Sequence, residues 1–104
     1  MDDRPTEIYV DATTLWQRFN TLGLFDQVQR GELIAEIRRE SAAAPVGGQP
    51  PGTRSQRIAY MRGEVVVAIV HQYVLPDGRI GASGLPDPKW LRDGDVVLKY
   101  RRSP

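Results

Sequence analysis

The apolar run from Glu64 to Leu75 is the feature that most restricts how this chain of 104 residues can fold. Valine, alanine and isoleucine occupy both alternating sets of positions along it. Successive side chains of a strand point to opposite faces of a sheet, so a strand with this pattern has no polar face. Such a strand belongs in the middle of a sheet, with a helix covering one side.

The amino-terminal part predicts a short strand followed by two helical segments. Thr6–Val10 has strand character, and Asp11 is suited to be the N-cap of a helix that begins near Ala12. Gly23 is a natural stop for this helix, and Leu24–Arg30 predicts a second helical turn. The residues that the spacing places on one side of the first helix, where we expect core packing, are Leu15, Trp16, Phe19 and Leu22.

Residues 32–39 fit two structures. Leu33, Ile34 and Ile37 would lie together on a helix, whereas Leu33, Ala35 and Ile37 would lie together on one face of a strand. We favour the helix, because alanine, glutamate, leucine and arginine are good helix formers.

The carboxy-terminal half predicts β structure. The short connection Arg62-Gly63 separates Ile58–Met61 from the apolar run and indicates a hairpin. Pro76-Asp77-Gly78 predicts a turn, because proline presets φ at its first central position and glycine accepts positive φ. Arg79–Ala82 predicts a short returning strand, and Val96–Tyr100 predicts the last strand.

Two prolines, Pro86 and Pro88, argue against a regular strand between these elements, since proline cannot donate to a ladder. Lys89–Leu91 therefore predicts one helical turn, and Asp93-Gly94-Asp95 predicts another tight turn. Helices followed by strands predict an α+β domain, in which an N-terminal helical pair packs on a small C-terminal antiparallel β-meander. We expect one domain over residues 1–104, with a flexible Pro/Gly-rich loop at residues 42–53.

Charge and cysteine content exclude several classes of protein. The formal net charge is +1 and there are no cysteines, which excludes disulfide scaffolds, thiolate zinc sites and cysteine nucleophiles. The first residues are acidic where a signal peptide would be basic, and no apolar run approaches the ~20 residues of a membrane span. We therefore expect a cytoplasmic protein with no membrane contact.

Polar side chains gather directly after the apolar run, around the only histidine of the chain. The nearby aspartates adjoin glycine or proline, as turn formers do, and their spacing matches no metal motif, so we expect no metal and no cofactor. Gly81–Gly84 could cradle an anion through its backbone N–H groups. The side chains that we expect this loop to present to a partner are His71, Tyr73, Asp77, Arg79, Ser83, Asp87 and Lys89. Whether His71 is structural or functional stays open.

The stretch from Val70-His71-Gln72-Tyr73 through Pro76-Asp77-Gly78, Ile80–Gly84 and Pro86-Asp87-Pro88-Lys89 resembles a segment in a family of small, uncharacterised bacterial proteins. The resemblance implies a bacterial origin, and no activity comes with it.

A second resemblance concerns the order of one strand, two helices and the stretch Arg57–His71, which is similar to the sheet of RelE/ParE-type toxins. Those toxins are ribosome-dependent RNases that use basic and aromatic side chains rather than a metal. The positions at which this resemblance implies function are Arg57, Arg62, His71, Tyr73 and Lys99.

The polar loop has no catalytic spacing, so the sequence favours a small non-enzymatic binding or regulatory module whose partner is a protein. A metal-independent RNase that uses a basic β face is the alternative. From Arg54 onward there are nine Lys or Arg against five acids, which keeps a nucleic-acid partner open for this half. A homodimer through the Glu64–Leu75 sheet is a third arrangement.

Overall fold

The sheet of this protein combines strands from both ends of the chain. A computed structural model describes residues 4–43, 48–81 and 84–101. Its strands are β1 (Thr6–Val10), β2 (Ile34–Ala42), β3 (Arg54–Arg62), β4 (Val65–Val74), β5 (Asp87–Asp93) and β6 (Val96–Tyr100). Its helices are α1 (Ala12–Thr21) and α2 (Leu24–Gln29). No helix in this described part of the chain is long and apolar enough to cross a membrane.

The six strands form one mixed sheet in the order β1-β6-β5-β4-β3-β2. β1 runs parallel to β6, and the other neighbouring pairs are antiparallel. The predicted N-terminal helical pair on a C-terminal antiparallel meander is therefore wrong, because the helices lie between β1 and β2 and a strand precedes them. β1 extends the sheet at the edge of β6 through parallel pairing between distant parts of the chain, which the order of local elements does not reveal, and the flanking N–H of Arg101 donates to the Val10 carbonyl at 2.8 Å.

β4 lies inside the sheet, between β3 and β5, as its apolar pattern predicts. Ile58 of β3 is opposite Val70, and Leu91 of β5 is opposite Ala68. The predicted hairpin between β3 and β4 is confirmed, and Gly63 adopts the positive φ, +61°, that its turn requires.

The helices cover one face of the sheet. The predicted strand Thr6–Val10 is confirmed, and so is the N-cap, since the Thr14 N–H donates to Asp11 Oδ1 at 2.8 Å. Leu15 and Phe19 are fully buried, with the Phe19 ring 6.1 Å from that of Tyr60. The strand residues that complete this core are Ile58, Tyr60, Val67, Ala68, Val70, Leu91 and Leu98.

The segment predicted as a helix over residues 32–39 is instead part of strand β2. It pairs with β3 from Ile34 opposite Met61 to Ala42 opposite Arg54, with a bulge between Ile37 and Arg39. Pairing with β3 along this length outweighs a small intrinsic helix preference, which tertiary context commonly overrides. Every residue of β2 is exposed, as expected for an edge strand.

The helical turn predicted at Lys89–Leu91 is also wrong, because these residues belong to β5. Pro88 is accommodated opposite Val70, where the register shifts between Ile69 and Val70. At a bulge one residue is left out of the hydrogen-bonded ladder. The missing backbone N–H of a proline therefore costs no ladder hydrogen bond there. The short strand predicted at residues 79–82 reduces, over its described residues, to one bridge between Ile80 and Val74.

The loop predicted over residues 42–53 is described at both ends, and residues 44–47 lie outside the described residues. Ala42 still belongs to β2. Thr53 is buried, and its Oγ1 donates to the Pro50 carbonyl at 2.7 Å. The Ala43 N–H donates to the Thr53 carbonyl at 2.9 Å, so hydrogen bonds fix the carboxy-terminal end of this loop onto the sheet.

Truncation of Leu91, which is fully buried beneath α1, should destabilise the fold. We expect Leu91→Ala to lower the free energy of unfolding by about 2–5 kcal/mol, through lost burial and a residual cavity. Ile34→Ala is the matched control, because Ile34 is 64% exposed, and it should cost within about 0.5 kcal/mol. Urea denaturation measures both values, and equal losses would contradict this description of the core.

Candidate functional site

A cavity of about 380 Å³ lies where β5 begins beside β4, next to the first turns of α1. The residues that line it include the polar His71, Gln72 and Asp87 and the aromatic Trp16 and Tyr73. Concave, mostly apolar sites with a few polar groups are typical of ligand pockets, and this volume lies within their usual range.

The walls of the cavity come from α1 and from the stretch from β4 to the start of β5, two parts of the chain that are distant in sequence. α1 contributes Ala12, Thr13 and Trp16, because the Asp11 cap fixes the start of the helix beside the sheet. The loop between β4 and β5 contributes Gly81, and Leu85 and Pro86 lie just before β5.

Gly81 allows this loop to lie close against β4. Its N–H donates to the Tyr73 carbonyl at 2.8 Å. A Cβ added at Gly81 would lie 3.3 Å from Leu75 Cδ2 and 3.4 Å from Tyr73 Cβ, tighter than ordinary packing. Glycine therefore determines how closely the loop approaches the cavity wall.

His71 has defined partners at the edge of the cavity. Its Nε2 lies 2.7 Å from Ser55 Oγ on β3, and its ring meets the edge of the Tyr73 ring at a centroid distance of 4.8 Å. Partial burial, followed by the positive charge of Lys89, lowers the pKa of His71 below its usual 6.5, although Asp87 opposes this shift. The neutral form of the imidazole is therefore favoured at pH 7.

Asp87 is opposite His71 in the sheet, but its carboxylate is engaged by another residue. Lys89 Nζ donates to Asp87 Oδ2 at 2.8 Å and lies 5.3 Å from the centre of the Tyr100 ring. Within the described part of the chain, the side-chain hydrogen bond of His71 goes to Ser55 rather than to a carboxylate. The hydrogen bond with Ser55 therefore holds the His71 side chain in place.

A row of polar side chains runs from the cavity across the helix-covered face. Gln72 Nε2 donates to Gln56 Oε1 at 3.0 Å, and Gln56 Nε2 donates to Glu40. Together with a bond from Arg54, the Gln56 bond holds the pKa of Glu40 below its usual value. The amide of Gln72 is thus held in one orientation at the cavity wall.

The structure brings together only some of the residues that the sequence singled out. His71, Tyr73 and Asp87 line the cavity, and Lys89 is attached to it through Asp87. Ser83 lies outside the described residues.

Asp77 and Arg79 form an ion pair of 2.6 Å within their own turn, and neither lines this cavity. The backbone N–H of Arg79 also donates to Asp77, and these bonds hold the pKa of the Asp77 carboxyl below its usual value. Asp77 therefore stabilises a turn, which is the usual role of aspartate before glycine.

Sequence reasoning missed the helix side of the cavity. The side chains of Ala12 and Thr13 suggest no particular chemistry. The spacing that singled out Trp16 predicts core packing. Trp16 does pack at the margin of the core, stacked 5.8 Å from Phe19, and it also faces the cavity. Ser55 was missed because its partnership with His71 depends on strand register alone.

The positions implied by the toxin resemblance are divided between the two sides of the sheet. Arg57 and His71 are cross-strand partners, whereas Arg62 is bonded to Gln27 of α2 at 2.8 Å on the helix-covered side. Lys99 lies on β6 and forms an ion pair with Glu7.

Comparison with known proteins found no matching family model, no significantly similar curated protein and no significantly similar solved structure. Among residues 4–43, 48–81 and 84–101, no three His, Cys, Asp or Glu side chains come together as a metal-ligand set.

The lowered pKa of His71 makes folding stability depend on pH. The unfolded chain binds a proton near pH 6.5 and the folded chain does so only at lower pH, so protonation favours unfolding. The free energy of unfolding should fall as pH decreases from 7.5 to 5.5, and His71→Gln should make this fall shallower. Urea denaturation at several pH values between 5.5 and 7.5 measures the free energy of unfolding of the wild type and of the variant. A steeper fall in the variant would mean that Asp87 dominates the environment of His71.

Proposed function

We propose that this protein is a small, non-enzymatic binding module that takes a flat, mostly apolar group into the cavity beside His71. The group could belong to a small molecule or to a side chain of a partner protein. The observation that carries the proposal is a mostly apolar cavity of about 380 Å³ whose lining residues include Trp16, Gln72 and Tyr73.

The polar atoms support binding because each is held in place. The ring of His71 is oriented by Ser55 and Tyr73, and the amide of Gln72 is oriented by Gln56. The Gln72 amide lies on the helix-covered face, where it can recognise the hydrogen-bonding edge of an uncharged ring, and aromatic lining residues provide area for the faces of that ring.

The alternative, a metal-independent RNase, finds less support in the same geometry. General acid–base catalysis needs a group placed to exchange protons with substrate. His71 instead makes a 2.7 Å bond to Ser55, and Arg62 is on the other side of the sheet from Arg57.

The cavity proposal is tested by filling the cavity from the helix side. We expect benzamide, indole or quinoline to bind the wild-type protein, detected by saturation-transfer NMR and by shifts in the amide signals of Trp16 and Tyr73. Ala12→Leu places a larger side chain at the lining and should weaken binding at least tenfold, about 1.4 kcal/mol.

Gln17→Leu is the matched control, since it adds a leucine to the exposed surface of the same helix away from the lining. It should leave binding unchanged. Equal binding by the two leucine variants, or amide shifts confined to other parts of the sheet, would contradict the assignment of the cavity.

The RNase alternative is tested by expression in a bacterium. We expect unchanged growth, and we expect RNA incubated with the protein and ribosomes to stay intact. Growth arrest that is relieved by Arg57→Gln or His71→Gln would establish the alternative and overturn the proposal of a non-enzymatic module.

A further inference from the structure

The face of the sheet turned away from α1 and α2, called here the open face, carries a pattern that the cavity does not explain. Strand register aligns Ala59, Ile69, Trp90, Lys99 and Tyr9 in one row across five strands. Next to it, a second row aligns Arg39, Arg57, His71 and Asp87. The buried helix-side residues occupy the alternate positions of the same strands.

Arg39 and Arg57 are an unfavourable pair in the folded protein. They are directly opposite each other on β2 and β3, and both are exposed. Like charges in this position destabilise a sheet. Within the described part of the chain, neither arginine forms an ion pair with a carboxylate.

The acidic side chains of the open face already form ion pairs with other cations. Glu7 pairs with Lys99 at 3.1 Å, and Glu36 pairs with Arg38 at 3.1 Å. Asp87, at the end of the arginine row, pairs with Lys89. An anion from outside the chain is therefore the available partner for the two arginines.

Aromatic side chains lie in the neighbouring row. Trp90 is partly exposed between Ile69 and Lys99, and Tyr9 is 51% exposed. The guanidinium of Arg101 lies 4.2 Å from the centre of the Tyr9 ring. An aromatic and cationic surface of this kind can stack bases and contact phosphates.

The formal charge of the whole chain, +1, conceals this arrangement. On the open face, the cations Arg38, Arg39, Arg57, Arg92 and Lys99 outnumber the anions Glu7, Glu36 and Asp87. The positive charge is concentrated on one face, and such a concentration attracts a polyanion even when net charge is small.

We propose that the open face binds single-stranded nucleic acid, with phosphates at Arg39 and Arg57 and bases stacked on Trp90 and Tyr9. Strands lie about 4.8 Å apart, so β3 and β5 are separated by about 10 Å, a distance that a nucleotide and its phosphate can bridge. A single strand fits better than a duplex, because paired bases offer no free faces to a sheet surface.

The test uses fluorescence anisotropy of a fluorescein-labelled ten-nucleotide oligouridine at 50 and 200 mM salt. We expect Arg39→Gln/Arg57→Gln to weaken binding at least tenfold and to reduce the slope of log affinity against log salt by about 1.4, roughly 0.7 for each lost phosphate contact. Trp90→Leu, which keeps an apolar side chain, should weaken binding at least fivefold through lost stacking.

The matched control is Arg30→Gln/Arg79→Gln, which removes the same charge from two exposed arginines paired within their own turns. It should leave both affinity and slope close to wild type. Equal losses in the two double variants would show an effect of net charge and overturn the proposal, and so would equal binding of a double-stranded probe. Ala12→Leu should not change oligouridine binding, which separates this proposal from that of the cavity.

Discussion

The burial of the helix-covered side of β4 is the constraint on which the rest of this structure depends. Its apolar residues need strands on both sides, and they need α1 above the face that holds Ala68 and Val70. Leu91 of β5 and Leu15 of α1 complete this core with no measurable exposure. Apolar area removed from water is the main source of stability in a domain of this size, so the other strands are arranged around β4.

The cavity follows from the same strand. β4 continues to Val74, while the pairing with β5 ends where His71 meets Asp87. Beyond that point a loop replaces the strand, and its Gly81 N–H bonds to Tyr73. A strand that extends past its partner leaves a concave site, which the start of α1 closes on the other side.

The two sides of the sheet perform different physical roles. The helix side holds the core, and Arg18 there forms an ion pair with Asp93. The open side carries the repelling pair Arg39 and Arg57. Stability alone gives no reason for that pair, and residues that break a local rule are frequently those that serve binding.

The sequence by itself determined the elements whose signals are local: the apolar β4, the Asp11 cap, the two helices and the turn at Asp77. Only the tertiary structure decided that residues 34–42 form a strand and that β1 joins β6. Those outcomes depend on pairing between strands that are distant in sequence, and neither periodicity nor propensity records that pairing. The contact of His71 with Ser55 depends in the same way on register between strands, and the place of Trp16 at the cavity depends on how α1 packs on the sheet. Composition and spacing could therefore indicate His71 but not its surroundings.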